Sequence, residues 1–251
     1  MPAPARRWKI VTLVMVILFM ALACAAWRFH HNGNALWRLI DQQCVPGQQQ
    51  RNDPRPCQRV DIAAGYVTLK DRDGPLQYLL MPVARISGVE SAALRDPATP
   101  NFFALAWQQR DLLAMRHGAA VPDSAIALSV NSQYGRTQNQ LHIHISCLSP
   151  AVRQQLDRIT PQLNAHWQAH TLHQHRWLIR SLTPEQLAQQ SIFIRFMQEV
   201  PQAQQGMGRY GLALATLSDG RLALMALERD WLRMNRGSAE ELQDHSCAIL
   251  R

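Results

Sequence analysis

The segment TQNQLHIHISC, Thr137 to Cys147, sets His142 and His144 two positions apart among Leu141, Ile143 and Ile145. In a strand, side chains two apart share a face. Gln140, His142, His144 and Ser146 therefore project together, and the three apolar residues project the other way, into a core. A neutral imidazole is a competent nucleophile toward phosphorus near neutral pH. A neighbouring imidazole, when charged, can steady phosphate oxygens or protonate a leaving group. The plainer alternative is a solvated face of an antiparallel sheet, which is common.

The elements around this strand must position it. AIALSVN, Ala125 to Asn131, is predicted as the preceding strand, and the polar loop SQYGRTQN joins the two. YVTLKDRDGPLQYLLMPV reads as a hairpin, Tyr66–Leu69 and Leu76–Met81, turning at Asp73-Gly74. TPNFFALAWQQRDLLAMRHG reads as one helix, with Thr99 as cap, Pro100 at its first position and Gly118 past its end. Ser149-Pro150 opens a helix to about Ile159, and Thr183 to Gln186 carries a capping-box pattern. GLALATLSDGRLALMAL is a hairpin turning at Asp219-Gly220, and Ser238 to Glu241 caps a last short helix. NALWRLIDQQC is a short helix near the start. No internal repeat is visible. The order predicts an α+β fold with an antiparallel sheet and flanking helices.

The histidine strand and its loop resemble the histidine-triad superfamily, whose members hydrolyse or transfer nucleotides through a nucleotidyl-histidine. The resemblance covers about Gln77 to Ser149. QYLLMPVARI looks like the family's strand-Pro-basic segment, the 99–117 helix like its helix, and SVNSQYGRTQNQLHIHI like its run from Asn through a loop Gly to the histidines. Only two of the three alternate positions are histidine, so two registers stay open. With Gln140, His142 and His144 in the three places, Gly135 and Thr137 match the loop Gly and Ser/Thr, and His142 is the nucleophile. With His142, His144 and Ser146 in them, Gln138 matches the loop glutamine, and His144 is the nucleophile. The first register accounts for more of the loop. In either, Asn131, Gly135, Arg136, Thr137, Gln138 and Gln140 are candidate substrate contacts, and the scheme requires no metal or other cofactor.

The N-terminus and cysteines speak to location. Arg6, Arg7 and Lys9 precede an uncharged apolar run, Ile10–Trp27, just long enough to cross a bilayer. The basic flank predicts residues 1–9 in the cytoplasm, 10–27 as an anchor and 32–251 as an exported domain. A cleaved signal peptide is the rival, with Ala21, Ala23, Ala25 and Ala26 as small residues for cleavage. Cys44, Cys57, Cys147 and Cys247 all lie beyond the anchor, an even number that suits disulfides in an oxidising compartment. Three pairings are possible. In one, Cys44 and Cys57 close a polar, proline-containing loop, which leaves Cys147 for Cys247. The alternative is four reduced thiols.

Composition is that of a globular protein with a core, 47% hydrophobic and 18% charged. The net charge of +8 is almost all arginine and favours anionic partners. No basic run exceeds a pair, which argues against nucleic acid. Anchor, exported basic domain and two-histidine strand together resemble the CDP-diacylglycerol pyrophosphatase branch. NQLHIHISC, GRYGLALA (208–215) and SAEELQDHSCAIL (238–250) look like its segments. That resemblance implies an inner-membrane hydrolase, its catalytic domain periplasmic, that splits CDP-diacylglycerol into CMP and phosphatidate. Arg85, Arg136 and Arg209 are candidate diphosphate contacts beside their plainer role as solvated arginines. Two other function classes stand beside it: a triad transferase or hydrolase acting on soluble nucleotides, and an exported domain that binds anionic lipid without turnover. A second cluster, His166, His170, His173 and His175, would set His166 and His170 on one helix face, as metal ligands can be. It lacks a neighbouring acid and reads as a polar surface segment.

Overall fold

The computed structural model describes Trp8, residues 11–20 and residues 33–251. Of the predicted anchor, residues 11–20 are helical with exposed side chains, and Ile10 and residues 21–27 lie outside the described residues. Among the described residues, no helix is long and apolar enough to cross a membrane.

The rest is α+β, built on one sheet of nine strands. These are β1 (Arg59–Asp61), β2 (Tyr66–Lys70), β3 (Tyr78–Pro82), β4 (Ile126–Val130), β5 (Ile143–Cys147), β6 (Gln168–Leu172), β7 (His175–Leu182), β8 (Tyr210–Thr216) and β9 (Leu222–Glu228). The spatial order is β1-β2-β3-β5-β4-β8-β9-β7-β6. Every neighbouring pair is antiparallel.

The order contains the same arrangement twice. In the first unit a hairpin, β2–β3, is followed by helices Phe102–Gln108 and Asp111–His117, then β4 and β5, stacked as β2-β3-β5-β4. In the second a hairpin, β6–β7, is followed by helices Pro184–Gln189, Ile192–Glu199 and Pro201–Gly206, then β8 and β9, stacked as β6-β7-β9-β8. The units join along β4 and β8, with Ala127 opposite Ala215 and Val130 opposite Leu212. The repeat is one of topology, which sequence inspection does not reveal.

One face of the sheet packs on these helices. Leu80, Leu128, Ile143, Ile145, Leu212 and Leu224 bury against Phe102, Phe103, Phe193 and Phe196. The other face is covered in two separate patches. Helical turns at Ala35–Leu39, Ile40–Cys44 and Val45–Arg51 cover β2 and β3 through Ile40, Val67, Leu79 and Met81. Helix Pro150–Ile159 and the 239–242 turn cover the second unit through Val152, Leu156, Trp177, Met225 and Leu242. The uncovered strip between the patches holds the histidines.

Local chemistry explains where the elements differ from expectation. The helix predicted over 99–117 starts at Phe102 and breaks at Gln109–Arg110. Asn101 caps it by accepting from the Ala104 amide, because the Thr99 hydroxyl is engaged with the Ala93 carbonyl. The segment between Cys44 and Cys57 is half helix rather than loop. Pro46 sits inside this continuous helical run, directly after the π turn Ile40–Cys44, where the Val45 N–H bonds to the Ile40 carbonyl and the ladder is already shifted. Residues 166–175 form no helix. They enter the β6–β7 hairpin, whose two turn residues, His173 and Gln174, take φ of 46° and 72°. His166 and His170 therefore share no helix face. The Thr183 capping box forms as its pattern predicts. Disulfides join Cys44 to Cys57 and Cys147 to Cys247, with Cα separations of 5.6 and 5.2 Å.

Candidate active site

Strand β5 pairs on both sides, with Leu79 of β3 and Ser129 of β4 both opposite His144. His142 stands one residue before the strand. Both rings line a cleft of about 370 Å³, whose other walls come from Leu36, Leu79, Asn131, Gly135, Thr137, Gln138, Glu240 and the Lys70–Asp73 turn. The ring centroids are 5.0 Å apart, edge to face.

Each imidazole is held differently. His142 Nδ1 lies 2.6 Å from the Gln140 carbonyl oxygen, so it carries the proton and donates it. Nε2 is then left with its lone pair. Burial pushes the His142 pKa down, against that hydrogen bond, so the ring is neutral at pH 7. His144 Nδ1 stands between two groups, Gln77 Nε2 at 3.0 Å and Glu240 Oε1 at 3.3 Å. A neutral ring accepts there from the Gln77 amide and carries its proton on Nε2. A protonated ring donates there to the carboxylate. His144 Nε2 is buried with no hydrogen-bond partner. Burial lowers the His144 pKa to about 4, more than Glu240 raises it.

Glu240 is the hub. Its Oε1 lies 3.0 Å from His245 Nε2, and its Oε2 accepts from Asn131 Nδ2 at 3.0 Å. Burial pushes the carboxyl up, but His245, His144 and Asn131 outweigh it and hold the pKa down to about 2. Asn131 Oδ1 in turn accepts from the Glu240 amide and the Ser238 hydroxyl, each at 3.1 Å. Gln243 ties the same segment to the sheet, donating to the Ala127 carbonyl at 2.7 Å and accepting from Ser129 Oγ at 2.9 Å. The Cys147–Cys247 bond closes the arrangement.

Of the residues singled out from sequence, His142, His144, Asn131, Gly135, Thr137 and Gln138 meet at the cleft. Gln138 also accepts from the Leu36 amide. Two others, Gln140 and Arg136, are not among the residues that line the cleft. Gln140 is buried, with its amide nitrogen donating to the Pro82 and Ala84 carbonyls at 2.9 Å each. Arg136 is 9% exposed and forms a bidentate pair with Glu90. Arg85 lies over Trp37, and Arg209 pairs with Glu228. The cations that line the cleft are Lys70 and Arg72. Lys70 donates to the Asp71 and Gly74 carbonyls, and Arg72 projects into solvent.

Sequence reasoning missed Gln77, Glu240 and His245. One signal was available. Pairing Cys147 with Cys247 necessarily carries SAEELQDHSC back to the histidine strand, with its three acids, Glu240, Glu241 and Asp244, and its imidazole. Among the described residues, no three His, Cys, Asp or Glu side chains are grouped to hold a metal ion.

A buried pair of neutral imidazoles beside a held carboxylate is chemistry that can act on phosphorus. Residues 31–251 match the family described as CDP-diacylglycerol pyrophosphatase, almost the whole chain. The chain therefore belongs to the CDP-diacylglycerol pyrophosphatase family, hydrolases that act on the diphosphate bond of CDP-diacylglycerol.

Proposed function

We propose that the chain hydrolyses CDP-diacylglycerol to CMP and phosphatidate through a histidine-triad-like course with His142 as nucleophile. The observation that carries this choice is the Nδ1–H of His142 on the Gln140 carbonyl, which fixes the tautomer and directs a lone pair from Nε2. In the first step Nε2 bonds to the cytidylyl phosphorus. The bond from that phosphorus to the bridging oxygen breaks, and phosphatidate leaves with the electron pair. In the second step water attacks the same phosphorus, the P–N bond breaks and CMP departs.

His144 serves both steps. Its Nε2–H has no hydrogen-bond partner within the protein, and leaving a buried donor unsatisfied costs roughly 1–3 kcal/mol. A phosphate oxygen supplies the missing acceptor. An anionic diphosphate also favours protonation of the ring, with Glu240 ready to accept from Nδ1. Lys70 and Arg72 provide positive charge at the mouth for the diphosphate, and Thr137 and Gln138 add donors. Gln140 acts indirectly, by fixing the backbone whose carbonyl orients His142.

The same reading places residues 10–27 as a single membrane anchor with the 32–251 domain in the periplasm. The two disulfides support an oxidising compartment. Protease added to spheroplasts should digest the domain while the membrane is intact; protection of the domain would reverse the orientation.

The decisive test is CMP release by the purified full chain in the presence of chelator. His142→Ala should abolish turnover and any cytidylyl-protein adduct trapped by acid quench. His144→Ala should lose about 10²–10⁴-fold and still form adduct slowly, as expected for an assisting donor. Adduct on His142→Ala but none on His144→Ala would transfer the nucleophile to His144.

A further inference from the structure

The β9 strand runs into a loop, 229–236, whose tip is apolar and points into water. Leu232 is 99% exposed, Met234 90% and Trp231 54%. The loop is not frayed. Asp230 and Asn235 exchange both backbone hydrogen bonds at 2.8 Å across its neck. The Asp230 carboxylate accepts from the Leu232 and Arg233 amides, and Met234 turns the chain at φ 52°. A closed neck thus holds three large apolar side chains outward. Such a group is a liability on a protein facing only water.

Its surroundings are basic. Arg229 lies over both the Tyr134 and Trp231 rings, at 3.8 and 5.5 Å from their centroids, and Arg233 and Arg236 are exposed beside the tip. Arg233 and Asp230 approach at 3.7 Å, and Arg209 and Glu228 pair at 2.6 Å, so the acids nearby are already matched. Apolar tips fringed by arginine and tryptophan suit the headgroup region of an anionic bilayer.

The loop does not line the catalytic cleft but is joined to the segments that do. Trp231 packs edge-on against Tyr134, a residue of the loop that carries Gly135 and Thr137. The Ser132 amide donates to the Gly237 carbonyl, and Gly135 packs closely on Ser238.

We infer that residues 229–236 form a membrane-docking loop, which seats the cleft rim on an anionic lipid surface where the substrate's diphosphate lies. The inference rests on the proposed lipid hydrolysis, and it adds a second attachment besides the N-terminal segment. Trp231, Leu232 and Met234 enter the interface, and Arg229, Arg233 and Arg236 meet phosphate groups.

The test uses the full chain reconstituted in phosphatidylethanolamine–phosphatidylglycerol vesicles containing CDP-diacylglycerol, with a short-chain, water-soluble CDP-diacylglycerol as the second substrate. Leu232→Ser/Met234→Ser should lose about tenfold or more on the vesicle substrate and keep its rate on the soluble one. Lipids brominated in the upper acyl chain should quench a fluorescence component that Trp231→Phe removes. Equal rates for variant and wild type on both substrates, or equal quenching with and without Trp231, would overturn the inference. Equal loss on both substrates would also overturn it, because the loop would then act on the cleft itself. So would a change in oligomer mass in detergent without change on vesicles, which would assign the tip to a second copy. Hydrolysis that persists in His142→Ala would instead sink the histidine mechanism and leave the vesicle-to-soluble ratio readable.

Discussion

His144 Nδ1 faces a donor, Gln77, and an acceptor, Glu240, so the ring is stable in either protonation state once an anion is present. Both histidines stay neutral below ordinary imidazole values, because burial disfavours the charged rings. The acid limb of kcat/KM, which reports the free enzyme, should therefore fall below pH 6.5. Glu240→Gln keeps the shape and removes the charge that supports a protonated His144. Its acid limb should move further down, and kcat should drop about 10- to 100-fold, checked by pH–rate profiles of both proteins. An unchanged profile would reduce Glu240 to a structural brace. At this scale the sequence disclosed the two histidines and their loop, since alternation on a strand is local. It could not disclose that Arg136 is engaged by Glu90, nor that Gln77 and Glu240 flank one imidazole. Those pairings depend on how distant segments pack.

Elements deliver these residues, and one of them does so under tight constraint. Gly211 on β8 lets the 237–239 backbone lie close over the strand, where an added Cβ would come within 2.4 Å of the Gly237 carbonyl oxygen. Gly211→Ala should cost about 1–3 kcal/mol in denaturant unfolding and displace the turn that carries Glu240. Turnover should fall with it, and a fully active, equally stable variant would show that the segment yields freely. Reduction of Cys147–Cys247, or Cys247→Ser, should cut activity more than it loosens the sheet, because Asn131 and Gln243 then hold Glu240 unaided. Amide exchange focused on 238–247 would record this. Period-two patterns with Asp-Gly turns made β2–β3 and β8–β9 readable. The β6–β7 hairpin was not, because its turn uses His173 and Gln174 where Gly or Asn is usual. The helix break after Gln108 was hidden too, since no Gly or Pro marks it.

At the scale of the molecule, two units of one topology share a sheet but not a task. Cross-strand pairing runs from His144 to Ser129, Ala213 and Met225, so Met225 occupies on β9 the face that His144 occupies on β5. Helix Pro150–Ile159 seals that second position with apolar packing. The open half bears the cost of buried imidazole. Below pH 6.5 the unfolded chain binds a proton at His144, and the folded chain does not until about pH 4. Stability should fall across that window by at most about 3 kcal/mol and then level off for this group. Glu240 adds its own loss as the pH drops from 4.5 to about 2. Denaturant midpoints measured against pH should show the upper slope flatten in His144→Gln; an identical slope would place the acid sensitivity elsewhere.

The bond between Cys147 and Cys247 also sets a time of onset. A newly made chain with both thiols reduced possesses its histidines but lacks the covalent tie that brings Glu240 and His245 over them. Its hydrolysis should be weaker, because Asn131 and Gln243 alone then hold the Glu240 segment. Oxidation then ties the segment down, so activity should rise as the bond forms.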